Sequence, residues 1–449
     1  MNWKNISFVL WCFCCISTAQ AEPPKTSSVT LENGLRVIVR VDKRAPIVLT
    51  QLWYKVGARQ EHRGVTGISH FLEHMMFNGT LVYPEGEFVR LITEQGGQQN
   101  SFTDNDSTVY FQELKASELE LSLKLEADRM MNLILSEQAF NKEKSNIIQE
   151  RLFRIDDNPD VLATEKFNTI AYSGSHYQHP IIGWMQDIQS LKLTDLEQWY
   201  EQWYAPNNAV LIIVGDVEPQ NAFDLAHQYF SVVPKKTIPA LEPSKSLPIL
   251  GKRQLDLQLP TKVPQLLMGY NVPSLNTADE PWEPYALQIL VDILDAGDSA
   301  RLAKNVMRGE KGAAMANAWY SPFQLHATLL TISGKLLKGE DLNVLESSLE
   351  EQIKDLQTNL ISQQELERVK VNVLAHRIYE KDSLYEQAYE LGSLEASGYP
   401  WMLSEQITEN LQAITPQHVQ AVAKKYLVPE RLTIMRLVPN KEAMSIEGA

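Results

Sequence analysis

Ile68-Ser69-His70-Phe71-Leu72-Glu73-His74-Met75-Met76-Phe77 lies between Gly64 and Gly79. Its apolar residues recur at helical spacing, which predicts a helix. Thr66 or Ser69 is expected to cap its start and Gly79 to end it. Positions three and four apart share one helical face. His70, Glu73 and His74 therefore stand together, two imidazoles with a carboxylate beside them. Imidazole nitrogen suits zinc, and a catalytic zinc keeps three protein ligands and one open position. The carboxylate is placed to take a proton from water at such a metal. A further ligand must come from elsewhere in the chain.

Around this helix the chain divides in two. In the first part, residues 29–39 alternate like a strand, with Asn33-Gly34 as a hairpin signal. Helical spacing follows near Phe88 and over residues 119–135 and 139–153. Residues 209–215 read as a strand and 219–230 as a helix. Pro234, Pro239, Pro243 and Pro248 then mark an extended linker. The second part begins with strands at 254–259 and 265–270. Helices are expected at 281–294, 339–358, 363–375 and 416–426, and a last strand at 432–438. Strand-then-helix order, occurring twice, predicts an α+β fold of two homologous domains, each a mostly antiparallel sheet packed with helices. The expected boundaries are 22–234 for the zinc-binding domain, 235–251 for the Pro-rich linker and 252–449 for the second domain.

A length of 449 residues exceeds what one hydrophobic core serves. The 44% hydrophobic and 22% charged content is that of a soluble protein. Residues 1–21 read as a signal peptide: Lys4, an apolar run over 6–16, then Ala19-Gln20-Ala21. The run is too short for a stable anchor, so no membrane span is expected after cleavage, and the mature chain is expected to be secreted or periplasmic. Cys12, Cys14 and Cys15 are the three cysteines, so cleavage leaves none for disulfides or thiolate ligands. Losing Lys4, the leader's single charge, takes the net charge from −15 to −16. That excess is spread along the chain and argues against nucleic acid as a partner. His176 and His179 form a second H-x-x-H pair before Pro180 and are expected to pack in a loop.

The order His-x-x-Glu-His, with the glutamate just before the second histidine, is that of the inverzincins. With its flanking glycines, the segment resembles the pitrilysin/insulinase family of metallopeptidases, which includes the mitochondrial processing peptidases. The resemblance spans nearly the whole mature chain. It implies a third metal ligand at Glu150, 76 residues past His74, and a supporting carboxylate seven residues earlier at Glu143. One zinc per chain is implied, with Glu73 as general base of an endopeptidase. Gly96-Gly97-Gln98-Gln99-Asn100-Ser101-Phe102-Thr103 resembles the family's substrate-pairing edge strand, which implies substrate contact by Asn100. Ser101 stands where alanine is commoner.

In the second half, Ser299-Ala300-Arg301-Leu302 and Arg308 resemble a family segment in which an arginine and a tyrosine seven residues later bind the substrate carbonyl. Arg308 fits the arginine, but Met315 occupies the tyrosine position, and Tyr320 is out of register. Short family members divide this work between chains. The resemblance therefore implies a dimer, with a homologous subunit that lacks zinc ligands as the favoured partner and a homodimer as the alternative. A non-catalytic assembly or peptide-binding subunit that retains the zinc site is the rival reading.

Overall fold

In the computed structural model, residues 26–240, 251–308, 313–337 and 340–440 are described. The expected leader and most of the linker lie outside them. The first half builds a six-stranded sheet from β1 (Thr26–Thr30), β2 (Arg36–Val41), β3 (Ile47–Tyr54), β4 (Gln98–Thr103), β5 (Thr108–Lys115) and β6 (Ala209–Gly215). Their spatial order is β1-β2-β6-β3-β5-β4. The second half builds a five-stranded sheet from β7 (Arg253–Leu259), β8 (Gln265–Val272), β9 (Ala313–Trp319), β10 (Thr328–Leu336) and β11 (Leu432–Pro439), in the order β7-β11-β8-β10-β9.

The two sheets repeat one design. β2 pairs with β6 in parallel, as β7 does with β11, and the remaining pairings of both sheets are antiparallel. The duplicated α+β architecture expected from the element order is what the chain forms. Strand pairs β4–β5 and β9–β10 occupy matching positions, and β4 and β9 are matching edges.

The helices correspond as well. The first half carries α1 (Ile68–Met75), α2 (Glu87–Glu94), α3 (Leu119–Asn132), α4 (Glu137–Arg151), α5 (Pro159–Ala171), α6 (Met185–Ser190), α7 (Leu193–Trp203) and α8 (Pro219–Phe230). The second carries α9 (Glu283–Asp295), α10 (Leu342–Thr358), α11 (Gln363–Glu380), α12 (Leu384–Ala396), α13 (Leu403–Gln412) and α14 (Pro416–Tyr426). By their place after the hairpins, α3, α4 and α5 match α10, α11 and α12.

β2, β3 and β6 are almost wholly buried along their lengths, because both faces of the sheet are covered. One face packs on the helices of its own half, with Leu52, Phe71, Leu123, Leu196 and Phe230 in that core. The other face, presenting Ile38, Leu49, Trp53 and Ile212, is covered by Ala388 and Leu391 of α12 from the second half. The exchange is reciprocal. Ala163, Phe167 and Ala171 of α5 cover Leu267, Leu329 and Met435 on the second sheet. Burying each large apolar side chain stabilises by roughly 1.5–3 kcal/mol, so this exchange binds the halves firmly.

Element bounds follow the periodic segments closely, with three departures. The helix expected over 139–153 is α4 at 137–151, continued by a π-helical turn, Leu152–Asp156. The helix expected over 363–375 runs on to Glu380. Strands β3, β9 and β10 and helices α5, α6, α12 and α13 were not anticipated. α5 and α12 bury their apolar residues against the sheet of the opposite half, which nothing in their local sequence indicates.

Candidate metal centre

The start of α1 is built from backbone. Gly67 is its N-cap, at φ 86°, and supplies no side-chain bond. The caps expected from the sequence are employed differently: the Thr66 hydroxyl donates to Asp187 Oδ2 at 2.6 Å, and Glu61 Oε1 accepts from the Ser69 amide at 2.9 Å. The helix closes at Met75, before Gly79. Phe71 faces the core, stacked on Phe140 of α4 at 5.0 Å. That packing sets His70 and His74 against α4, while Glu73, on the far side of α1 from Phe71, faces β4.

Glu150 meets the two histidines there. Its Oε2 lies 3.7 Å from His70 Nε2 and 3.5 Å from His74 Nε2. The three donor atoms fall within 4.8 Å of one another, and they form the one such group found among the described residues. These separations are long for hydrogen bonds. They fit ligands sharing one zinc, which stand about 3.3–3.5 Å apart when each bond is about 2.0–2.1 Å. His70 is also in a suitable protonation state. Burial, with smaller effects from His74 and Arg154, pushes the His70 pKa down to about 3, so its imidazole is neutral and its lone pair free.

Surrounding groups orient the donors. Glu143 Oε2 lies 3.4 Å from His74 Nδ1, so it can accept that N–H and leave Nε2 to the metal. Asn146 Nδ2 donates to the same Glu143 oxygen at 3.2 Å. Glu150 Oε1 pairs with Arg154 at 2.9 Å, which leaves Oε2 facing the histidines. Arg154 sits on the π-helical turn and was missed in the sequence, although its Glu-to-Arg spacing of four was visible.

Glu73 is nearly buried, and burial raises its pKa. Hydroxyl donors on β4 pull it back: Ser101 Oγ to Oε1 at 2.6 Å and Thr103 Oγ1 to Oε2 at 2.5 Å. Ser101 and Thr103, two apart on one strand face, were not singled out as site residues. Asn100 falls on the alternate face, accepts from the Ser101 amide with Oδ1 at 2.9 Å, and still lines the cavity at the sheet edge.

The cavity holds about 1150 Å³. Both halves wall it, with Phe77, Asn100, Tyr172 and His179 from one and Trp319 and Leu329 from the other. Arg308 is not brought to it. Its guanidinium turns back to the carbonyls of Asp298 and Ala303. Met315 is about half exposed on β9 and offers no hydroxyl. Tyr320 does not replace the missing tyrosine: it is buried, and its hydroxyl donates to the Pro273 carbonyl at 2.6 Å. His176 belongs to a short 3-10 turn, and His179 reaches the cavity wall without joining the metal group.

Comparison with known proteins agrees with this architecture. Residues 36–184 match the family described as insulinase (peptidase family M16), and residues 190–373 match the peptidase M16 inactive domain. The chain is 31% identical over 379 residues to the zinc protease PqqE of Helicobacter pylori, covering 81% of this chain and 82% of that one. It is 24% identical to the mitochondrial-processing peptidase subunit beta of Lentinula edodes, over 90% of this chain and 88% of that one. The crystal structure of a protease from Helicobacter pylori superposes with a TM-score of 0.86 at 27% identity, covering 93% of this chain and all of that one. The chain belongs to the insulinase family, peptidase family M16. Its second domain fits the matched description: α9, the counterpart of α1, contains no histidine.

Proposed function

We propose that this chain is a zinc-dependent endopeptidase acting on peptides or unfolded protein segments. The observation that carries this reading is the convergence of His70, His74 and Glu150 beside a buried, hydrogen-bonded Glu73 at the wall of a large cavity. Zinc held there would supply Lewis-acid polarisation of the attacking water and of the scissile carbonyl. The protein's part is proton transfer and positioning. Glu73 takes the proton from the attacking water and returns it to the leaving amine. Glu143 holds His74 in the tautomer that presents Nε2. The free edge of β4 offers backbone groups to an extended substrate, so affinity would need little sequence preference. Asn100, on that edge, is proposed to contact the substrate near the scissile bond.

A leader ending at Ala21 would export the chain to a periplasm or beyond. No helix among the described residues is long and apolar enough to cross a membrane. Met315 and the withdrawn Arg308 favour a second subunit that completes the cavity, and they are also what favours the rival reading of a non-catalytic assembly subunit.

Hydrolysis of an unstructured peptide by the wild type and by Glu73→Gln, at equal zinc content, separates the two readings. The peptidase reading expects the substitution to lower turnover by about 10²- to 10⁴-fold. Equal rates would contradict it.

A further inference from the structure

α1 has eight residues and begins at a glycine, so its first amides must find acceptors outside the helix. Glu61 supplies them. Its Oε2 accepts from the Gly67 amide at 2.6 Å and its Oε1 from the Ser69 amide at 2.9 Å. The side chain is buried, and its partners are amides of the α1 start instead of a cation. Burial pushes its pKa up to about 7, while the Ser69 and Gly67 amides act in the opposite direction.

The other side of the same turn is gripped as firmly. A Cβ on Gly67 would lie 2.4 Å from the Ile182 carbonyl oxygen, and one on Gly183 would lie 2.3 Å from the Thr66 carbonyl oxygen. The two backbones therefore touch where only glycine fits. Arg151, next to Glu150 on α4, donates to the Gly183 carbonyl at 2.7 Å and pairs with Glu165 at 2.9 Å. One run of contacts thus passes from Glu61 through the start of α1 and Gly183 to Arg151 and α4.

We propose that Glu61 is a positioning residue for the metal centre, fixing the helix that carries His70, Glu73 and His74 in register with Glu150. The inference rests on the zinc-site reading above. A metal site tolerates about 0.5 Å of misplacement, and α1 is too short to hold that alignment by its own hydrogen bonds.

The test compares the full chain with Glu61→Gln and Glu61→Ala. Each is loaded with Co²⁺ for its visible absorption spectrum, titrated with zinc against a chelator, and assayed for kcat and KM. Glu61→Gln keeps the volume and one acceptor. The expected result is a cooperatively folded variant with an altered cobalt spectrum, zinc affinity lower by about 10- to 100-fold, and a fall in kcat at nearly constant KM. A folded Glu61→Gln and Glu61→Ala with wild-type spectrum, affinity and kcat would overturn the proposal. So would failure of both variants to fold, which would make Glu61 a folding cap alone. A wild type that binds no metal would sink the zinc reading itself. A wild type that binds cobalt and cleaves nothing would sink the peptidase reading, and the spectra would still decide the role of Glu61.

Discussion

Ser101 and Thr103 each donate a hydroxyl hydrogen bond to Glu73. Burial holds the Glu73 pKa up and these donors hold it down, so the balance sets the pH at which the base is ionised. Ser101→Ala removes one donor, and the Glu73 pKa should rise further. A general base works only when ionised, so the acid limb of the kcat/KM profile should move to higher pH. An unmoved limb in Ser101→Ala would show that this hydroxyl does not tune the base. The proposed metal ligands were legible in the sequence for two reasons: helical spacing puts His70 and His74 four apart on one face, and the family resemblance points to Glu150 at its distance past His74. The hydroxyls were not, because which face of β4 meets α1 is decided by packing. Arg154, four residues past Glu150, was within reach of the same helical-spacing argument.

Among the elements, the long periodic helices were readable from apolar spacing alone, as with α3, α8 and α14. α5 and α12 were not. Each leaves its own half and lies on the opposite sheet, so its buried face is defined by a surface hundreds of residues away. Gly392 shows how close that approach is. A Cβ there would fall 2.1 Å from Trp53 Nε1, so α12 lies directly on the indole. Gly392→Val should therefore overpack the contact and cost about 1–3 kcal/mol of stability, seen as a lower melting temperature. Zinc content should be unchanged, because the metal centre lies on the other face of the first sheet. An unchanged melting temperature would mean that α12 is not seated on Trp53 in solution.

At the scale of the molecule, the duplication was visible as a repeated order of strands and helices, and five strands of each sheet match in order, with β1 added at one edge of the first. The reciprocal exchange of α5 and α12 was invisible, because order along the chain carries no information about which sheet a helix covers. Across the cavity the halves are unequal. The first contributes a complete donor set, while the second contributes Trp319 and Leu329 and withholds Arg308. Trp319 and Met315 lie well exposed on the matching edge β9, as does Phe153 beyond α4. This imbalance predicts that the purified chain alone turns over an unstructured peptide slowly and gains activity when a homologous subunit is added. Full activity as a monomer or homodimer would contradict the heterodimer reading.

The central claim concerns the metal and is open to direct measurement. Zinc K-edge X-ray absorption on the purified chain, with metal content determined in parallel, should find one zinc per chain bound by two imidazoles and a carboxylate at about 2.0–2.2 Å. Substituting Glu150 by alanine should lower both the zinc content and the oxygen contribution. A chain that takes up no zinc, or whose zinc shell is unaltered without Glu150, would contradict the account.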